Sequence, residues 1–310
     1  MKTEDIARKL ENLKKKKNAV ILAHNYQRPE IQDTADFVGD SLGLSQSAAK
    51  TDADIILFCG VDFMAQTASI LNPDKKVLIP DIASICPMAQ MLHPETLLGA
   101  KKKNPEAEVV LYINTLAETK MHADCICTSA NAPEIVNSMD AETVLFGPDK
   151  NLAYFVQQKT PKKVIGVPKN GLCPTHHHLI TMADLRDAKK KHPDAKVIVH
   201  PECIPEIQKA AHHIASTEGI LKYCKASGDT EFIIGTEVGI LHRLNKEIPG
   251  KKFYPISERT ICSEMKLHTL EKALAALESE KPVVRVEKKI ADKARKPIER
   301  MLKVTEKMRK

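Results

Sequence analysis

The chain repeats itself about every 88 residues, and that period constrains its fold more than any other feature. Three lysine-rich segments each lead into an apolar run: KKKKNAVILAHNY at 14–26, KKKNPEAEVVLYINT at 101–115 and KKKHPDAKVIVHPEC at 189–203. Val20, Val109 and Val197 stand 89 and 88 residues apart, as do Asn25, Asn114 and Glu202 just beyond each run. A second set of runs, ADIILFCG, AETVLFGP and TEFIIGTE, places Phe58, Phe146 and Ile234 at intervals of 88. Between the runs, Ser41, Ser129 and Thr217 keep the same 88. Lys76, Lys163 and Lys252 each precede a cysteine (Cys86, Cys173, Cys262) by ten residues. One evenly spaced triple among eight cysteines proves little, but landmark after landmark shares the period. At 310 residues, length alone suggests about two domains of ~150. The repeat instead implies three homologous units, 1–86, 87–173 and 174–262, and a C-terminal helical extension, 263–310, packing back on the first unit.

Within a unit the pattern reads helix, strand, helix, strand, helix, strand. Runs such as VILA, IILF and VVLY are short and uninterrupted, the mark of parallel strands covered on both faces. ETLLGAKKK and IPEIQKAAHHIA carry apolar residues at helical spacing after a proline or a cap. The fold class expected is therefore α/β, with three homologous parallel-sheet αβα units around a pseudo-threefold axis. In such sheets ligands sit beyond the carboxyl ends of the strands. Polar residues gather there: His24, Asn25 and Tyr26, then Tyr112 and Asn114, then His200 and Glu202, with the three repeated cysteines. Three equivalent edges facing one axis pool these groups in a central cavity.

The net charge of +7 invites a nucleic-acid reading, but its distribution withdraws it. Residues 281–310 hold twelve Lys/Arg against four Asp/Glu, which leaves the rest of the chain close to neutral. That basic stretch carries Ile290, Ala294, Ile298, Met301 and Leu302 at near-helical spacing, as an amphipathic helix docked on the body would. With seven Phe, five Tyr and no Trp there is also little on which to stack bases. No stretch approaches 18 uncharged apolar residues, and the N-terminal MKTEDIARKLENLKKKK has no apolar core of a secretory signal. The expectation is a cytoplasmic protein with reduced thiols, neither nucleic-acid- nor membrane-bound.

The chemistry turns on the cysteines. None of the eight forms a C-x2-C pair, so a zinc ribbon or ferredoxin-type run is absent. Three equivalent cysteines at one axis still suit zinc or an iron–sulfur cluster. A structural zinc site wants four ligands, whereas a 4Fe-4S cluster on three cysteines leaves one iron open as a Lewis acid. Ser41, Ser129 and Thr217 fall where helices should begin. They read as N-caps, and three helix N-termini aimed at one cavity also favour carboxylate or phosphate.

The segments AHNYQ (23–27), YINT (112–115), HPEC (200–203) and G-x-C-P-T-H (171–176), with Cys86, Cys173 and Cys262, resemble quinolinate synthases over nearly the whole chain. The resemblance implies a 4Fe-4S cluster on Cys86, Cys173 and Cys262. It implies condensation of iminoaspartate (iminosuccinate) with dihydroxyacetone phosphate to quinolinate, for NAD biosynthesis, with loss of phosphate and water. It also implies a functional link to an L-aspartate oxidase or dehydrogenase. By the same resemblance His24, Ser41, Tyr112, Ile113, Asn114, Ser129, His200, Pro201, Glu202 and Thr217 form the substrate site. Tyr26, Tyr112, His200 and Glu202 are of the types proton shuttling requires, Tyr26 and Glu202 foremost. His24 and His200, with the helix N-termini, are expected to neutralise two anionic substrates. Lys169 departs from the tryptophan that many relatives carry before the second cysteine, which questions the packing of the wall there but not the ligand.

Other features read as structural. The run His176–His178 suggests a mobile surface segment with only His176 near the site, and Cys125-x-Cys127 has no partners in the other units. The alternatives to a synthase are another 4Fe-4S hydratase or dehydratase acting on a small hydroxy acid, or a non-catalytic metal or redox sensor.

Overall fold

In a computed structural model, which describes residues 3–308, the apolar runs form three separate four-stranded parallel sheets. The first unit supplies β1 (Ala19–His24), β2 (Phe37–Gly39), β3 (Ile55–Cys59) and β4 (Lys76–Leu78). The second supplies β5 (Glu108–Tyr112), β6 (Cys125–Cys127), β7 (Thr143–Gly147) and β8 (Lys163–Gly166). The third supplies β9 (Lys196–Val199), β10 (His213–Ile214), β11 (Glu231–Gly235) and β12 (Lys252–Pro255). The spatial orders β2-β1-β3-β4, β6-β5-β7-β8 and β10-β9-β11-β12 are identical in topology. The architecture is thus α/β, three homologous parallel-sheet units around a pseudo-threefold axis.

The apolar runs predict three strands per unit, and each sheet has a fourth. β2, β6 and β10 are edge strands of two or three residues, too short to make a run of their own. Cys125 and Cys127 lie in β6, fully buried. Each central strand is also tied at its start by a side chain. The backbone N–H groups of Ile21, Val109 and Val197 donate to Asp36 Oδ2 (2.7 Å), Asp124 Oδ2 (2.7 Å) and His212 Nδ1 (2.9 Å), three residues spaced by 88.

Strands buried on both faces need continuous apolar sequence, and β1 shows why. Ile21 and Ala23 pack with Leu10 and Leu57 on one side, while Leu22 packs with Ile56 and Phe58 on the other. Each such buried aliphatic or aromatic side chain contributes roughly 1.5–3 kcal/mol.

The pairing also fixes which residues are equivalent. Leu22, Val110 and Ile198 pair with Phe58, Phe146 and Ile234. That register aligns His24, Tyr112 and His200 at the strand ends and, two residues on, Tyr26, Asn114 and Glu202. The sequence pattern puts Asn25 in the last set. The structure moves it one residue earlier, where the N–H groups of Asn25 and Ile113 donate to Gly39 and Cys127 carbonyls and Pro201 has none to give.

The extension divides between two units. Helix Leu270–Ser279 packs on helix Thr3–Lys16 and β3, and Val284 N–H donates to Val77 O beside β4. Helix Lys288–Met308, expected on the first unit, lies chiefly against β6 and helix Ala117–Lys120 of the second and also touches helix Asp62–Leu71 of the first. Its buried stripe, Ala294, Ile298 and Met301, joins the core shared by those units. Residues 309–310 of the sequence-defined tail lie outside the described residues. No helix among the described residues is long and apolar enough to cross a membrane.

Candidate active site

The carboxyl ends of β1, β5 and β9 open into one cavity. Its lining takes His24, Tyr26 and Ser41 from the first unit, Tyr112, Asn114 and Ser129 from the second, and His200, Glu202 and Thr217 from the third, together with Cys86, Cys173 and Cys262. Ile113 and Pro201 are not among the lining residues. Their backbones hold the loops behind it, Ile113 N–H on Cys127 O and Pro201 O accepting Gln208 Nε2 at 2.7 Å.

None of the three hydroxyl residues that the sequence reads as caps is one, and Ser41 and Thr217 sit one place past the residue that caps their helix. Asp40 Oδ1 caps helix Ser41–Lys50 by accepting Gly43 N–H at 2.9 Å, and Ser216 Oγ caps helix Thr217–Ala226 by accepting Gly219 N–H at 3.2 Å. The second unit's helix, Ala132–Asn137, starts three residues beyond Ser129. Ser41, Ser129 and Thr217 are therefore released from capping. Thr217 Oγ1 accepts Asn25 Nδ2 at 2.7 Å, and Ser129 Oγ lies 3.1 Å from His200 Nε2.

The two strand-end histidines are neutral donors, not the cations the sequence suggests. Burial pushes both down to about 3; mutual repulsion adds to this at His24, while Glu202 pulls His200 only partly back. In each ring Nδ1 faces a backbone N–H, of Tyr26 at 3.2 Å and of Glu202 at 3.3 Å. An N–H can only donate, so Nδ1 is the acceptor and Nε2 carries the proton.

Glu202 is almost fully buried, and burial alone would raise its carboxyl. The hydrogen bonds that His176 and the Tyr112 hydroxyl give it outweigh burial and hold it below the usual carboxylate range. Tyr112 Oη donates to Oε1 at 2.7 Å, and His176 Nδ1 lies 2.8 Å from Oε2. Burial and the adjacent Glu202 charge push the Tyr112 phenol well above its ordinary value. From His176 the network continues through Nε2 to Thr236 Oγ1 (2.8 Å) and on to the Tyr26 hydroxyl (2.5 Å). A carboxylate only accepts, so His176 and Tyr112 both donate to Glu202, and with a neutral His176 ring the chain runs from Tyr26 to Thr236 to His176 to Glu202. Asn114 Oδ1 is buried at the cavity with no hydrogen-bond partner among the described residues.

The three thiols are soft ligands from three different units. Burial raises all of them, Cys262 to about 12, so thiolates there call for a cation between them. Among the described residues, the group of ligand atoms near enough to share one ion is Cys173, His176 and Glu202, not the cysteine triple. Thiols that face one cavity without crowding around one point fit a polynuclear cluster better than a lone metal ion. In G-x-C, Gly171 is required by close approach: a Cβ there would fall 2.0 Å from Pro148 O. Lys169 is exposed in the turn before it and takes no part in the wall.

Comparison with known proteins agrees with this geometry. A family model described as "Quinolinate synthetase A protein" matches residues 8–303. The chain belongs to the quinolinate synthase family. A quinolinate synthase of Methanocaldococcus jannaschii is 55% identical over 305 residues, 97% of this chain and 99% of the relative. Those of Methanosarcina barkeri and Pyrococcus furiosus are 52% and 51% identical over 304 residues each, 98% of this chain and 99% of the relative. Membership of the quinolinate synthase family makes the chain an enzyme with small-molecule substrates. For a member of that family, Thr236 is the residue of the network that escapes the sequence reading, whereas His176 lies at the site as expected. The histidine run is no mobile surface segment: it forms helix Pro174–Leu179, His176 is 1% exposed, and His177 Nδ1 lies 3.0 Å from Asn151 Nδ2. Thr236 is 2% exposed at the end of β11, and its signal was the repeat itself, 88 residues after Pro148.

Proposed function

We propose that this chain condenses iminoaspartate with dihydroxyacetone phosphate to quinolinate, with loss of phosphate and water, in the cavity between its three units. What carries this reading is the meeting of Cys86, Cys173 and Cys262 with the Tyr112–Glu202 pair in one cavity. Cys86, Cys173 and Cys262 would hold a 4Fe-4S cluster. With three protein ligands, such a cluster supplies one open iron as a Lewis acid for a substrate oxygen. Joining the substrates requires protons to leave carbon and to reach departing oxygen. Glu202, held ionised, is the base, and Tyr112 is the acid that shares its proton. Tyr26, Thr236 and His176 link Glu202 by hydrogen bonds to the opposite wall, a path by which the proton it takes up can be passed on. The unpartnered Asn114 Oδ1 accepts an imine or amine N–H. The hydroxyls of Ser41, Ser129 and Thr217, with the Nε2–H of His24, donate to carboxylate and phosphate oxygens. The supplying reaction must oxidise an amino acid to its imine, the task of an L-aspartate oxidase or dehydrogenase.

The test is anaerobic purification with iron, sulfide and product analysis. We expect about four iron per chain and quinolinate from the two substrates. Cys86→Ser, Cys173→Ser and Cys262→Ser should each lose the iron, whereas Cys59→Ser and Cys224→Ser, on buried cysteines that do not line the cavity, should keep it. Zinc in place of iron, or no product, would refute the proposal.

A further inference from the structure

Each cavity cysteine is held from behind by a carboxylate. Cys86 N–H donates to Asp62 Oδ1 at 3.0 Å, Cys173 N–H to Asp149 Oδ2 at 2.8 Å, and Cys262 N–H to Glu237 Oε1 at 3.4 Å. Every acid stands just past the second central strand of its unit, 24 or 25 residues before its cysteine. A second bond runs alongside: the N–H groups of Asp62, Lys150 and Val238 donate to Ser84, Gly171 and Thr260 carbonyls, each two residues before the cysteine. Asp149 and Glu237 share one register position, where the first unit has Val61; there the acid comes from the next residue, Asp62. The bond has therefore survived a shift of the residue that makes it, which inherited position alone does not explain.

We infer that Asp62, Asp149 and Glu237 are positioning residues that fix the three cysteine loops so that their sulfurs are set for the cluster before it arrives. The inference rests on the cluster reading above. The remaining contacts differ among the three. Asp62 Oδ2 accepts Gln90 Nε2 at 3.1 Å, and Glu237 Oε1 also meets Lys266 Nζ at 2.9 Å. Asp149 gives its other oxygen, Oδ1, to Leu152 N–H at 2.7 Å, so both its oxygens face backbone donors. Asparagine is therefore not equivalent at the two aspartates. At 62 its carbonyl keeps Cys86 N–H while the side-chain amide of Gln90 turns over to accept its NH2. At 149 its NH2 must face a backbone N–H that cannot turn, and one bond is lost.

The experiment uses the anaerobically purified holoenzyme and reads the rate at which iron passes to a ferrous chelator, alongside the melting temperature. Loss of an outer partner typically weakens a metal site roughly 10–100-fold. Asp62→Ala and Asp149→Asn should accelerate iron loss by about tenfold or more, while Asp62→Asn stays near wild type. Asp36→Ala, which frees Ile21 N–H at the start of β1, the end of the strand away from the cavity, is the control for general destabilisation. Wild-type release from Asp62→Ala and Asp149→Asn overturns the inference. So does release from Asp62→Asn as fast as from Asp62→Ala, or release from Asp36→Ala that rises as much at an equal loss of melting temperature. If Asp62→Ala does not fold, the contrast between the two asparagine variants decides alone. A wild-type protein that binds no iron refutes the cluster reading itself, a different outcome from a cluster that is held equally in every variant.

Discussion

Glu202 is a hydrogen-bond hub and not a cap for the helix that follows it. The helix that follows is Pro205–Ala210, and its N-cap, Ile204, draws no side-chain bond. Both carboxylate oxygens are instead taken by Tyr112 and His176. Glu202→Gln keeps the shape but cannot accept from both while serving as a base. Turnover should fall by ~100-fold or more, with iron content and melting temperature near wild type; near-normal turnover would remove Glu202 from the chemistry. His268 makes a different prediction. It is fully buried, neither ring nitrogen has a hydrogen-bond partner among the described residues, and burial lowers it to about 4. The folded state holds it neutral while the unfolded chain takes up a proton below about 6.5, so its contribution is present above 6.5 and lost as pH falls toward 4. Relative to His268→Gln, the wild type should lose up to ~1.4 kcal/mol per pH unit across that window. Urea melts of both proteins at pH 7 and pH 5 measure it, and a constant difference contradicts it.

At the scale of elements, helix Lys288–Met308 is the seam between the first two units. Asn131 Nδ2 donates to Thr305 Oγ1 at 2.7 Å, Arg300 reaches Asp124 O at 3.2 Å, and Arg295 reaches Ile70 O at 2.9 Å. Removing 281–310 exposes the faces of β6 and helix Ala117–Lys120 that it covers, so the melting temperature should drop. A truncated protein that kept full stability while losing affinity for a polyanion would return the tail to a nucleic-acid role. The helix was legible in the sequence because Ala294, Ile298 and Met301 recur at its period. Its destination was not, because an apolar stripe does not say which of three similar units it will meet. The short strands β2, β6 and β10 were hidden for the opposite reason, being too brief to impose a pattern. The caps were misplaced by one residue because Asp40 and Ser41, or Ser216 and Thr217, are equally good cap types side by side.

Across the whole molecule, three side chains 88 residues apart bolt each unit to its neighbour. Gln32 Nε2 bonds to Asn25 and Gln27 carbonyls of its own loop and to Gly239 O of the third unit at 2.9 Å. Gln208 Nε2 does the same with Pro201 and Cys203 and with Asn151 O of the second unit at 3.1 Å. Lys120, in the second unit, crosses to Thr67 Oγ1 of the first at 2.9 Å. Gln208→Ala strands buried carbonyls and should cost about 1–3 kcal/mol, read by urea denaturation; an unchanged midpoint would mean the units dock without it. The period and the cavity cysteines were visible in the sequence because a repeat displays them three times over. The Tyr26–Thr236–His176–Glu202 path was not, since Tyr26 comes from the first unit and the others from distant parts of the third, and only the docked fold makes them neighbours.

Covalent continuity gives the pseudo-threefold arrangement a property that a ring of identical subunits lacks. In such a ring every substitution appears three times, and whatever stands at one corner stands at all of them. Here the same corner holds Tyr26, Asn114 and Glu202 in turn. A solitary carboxylate can occupy one side of the axis, an amide the second and a phenol the third. The symmetric scaffold thereby presents a pocket with a direction, able to tell one end of a bound molecule from the other.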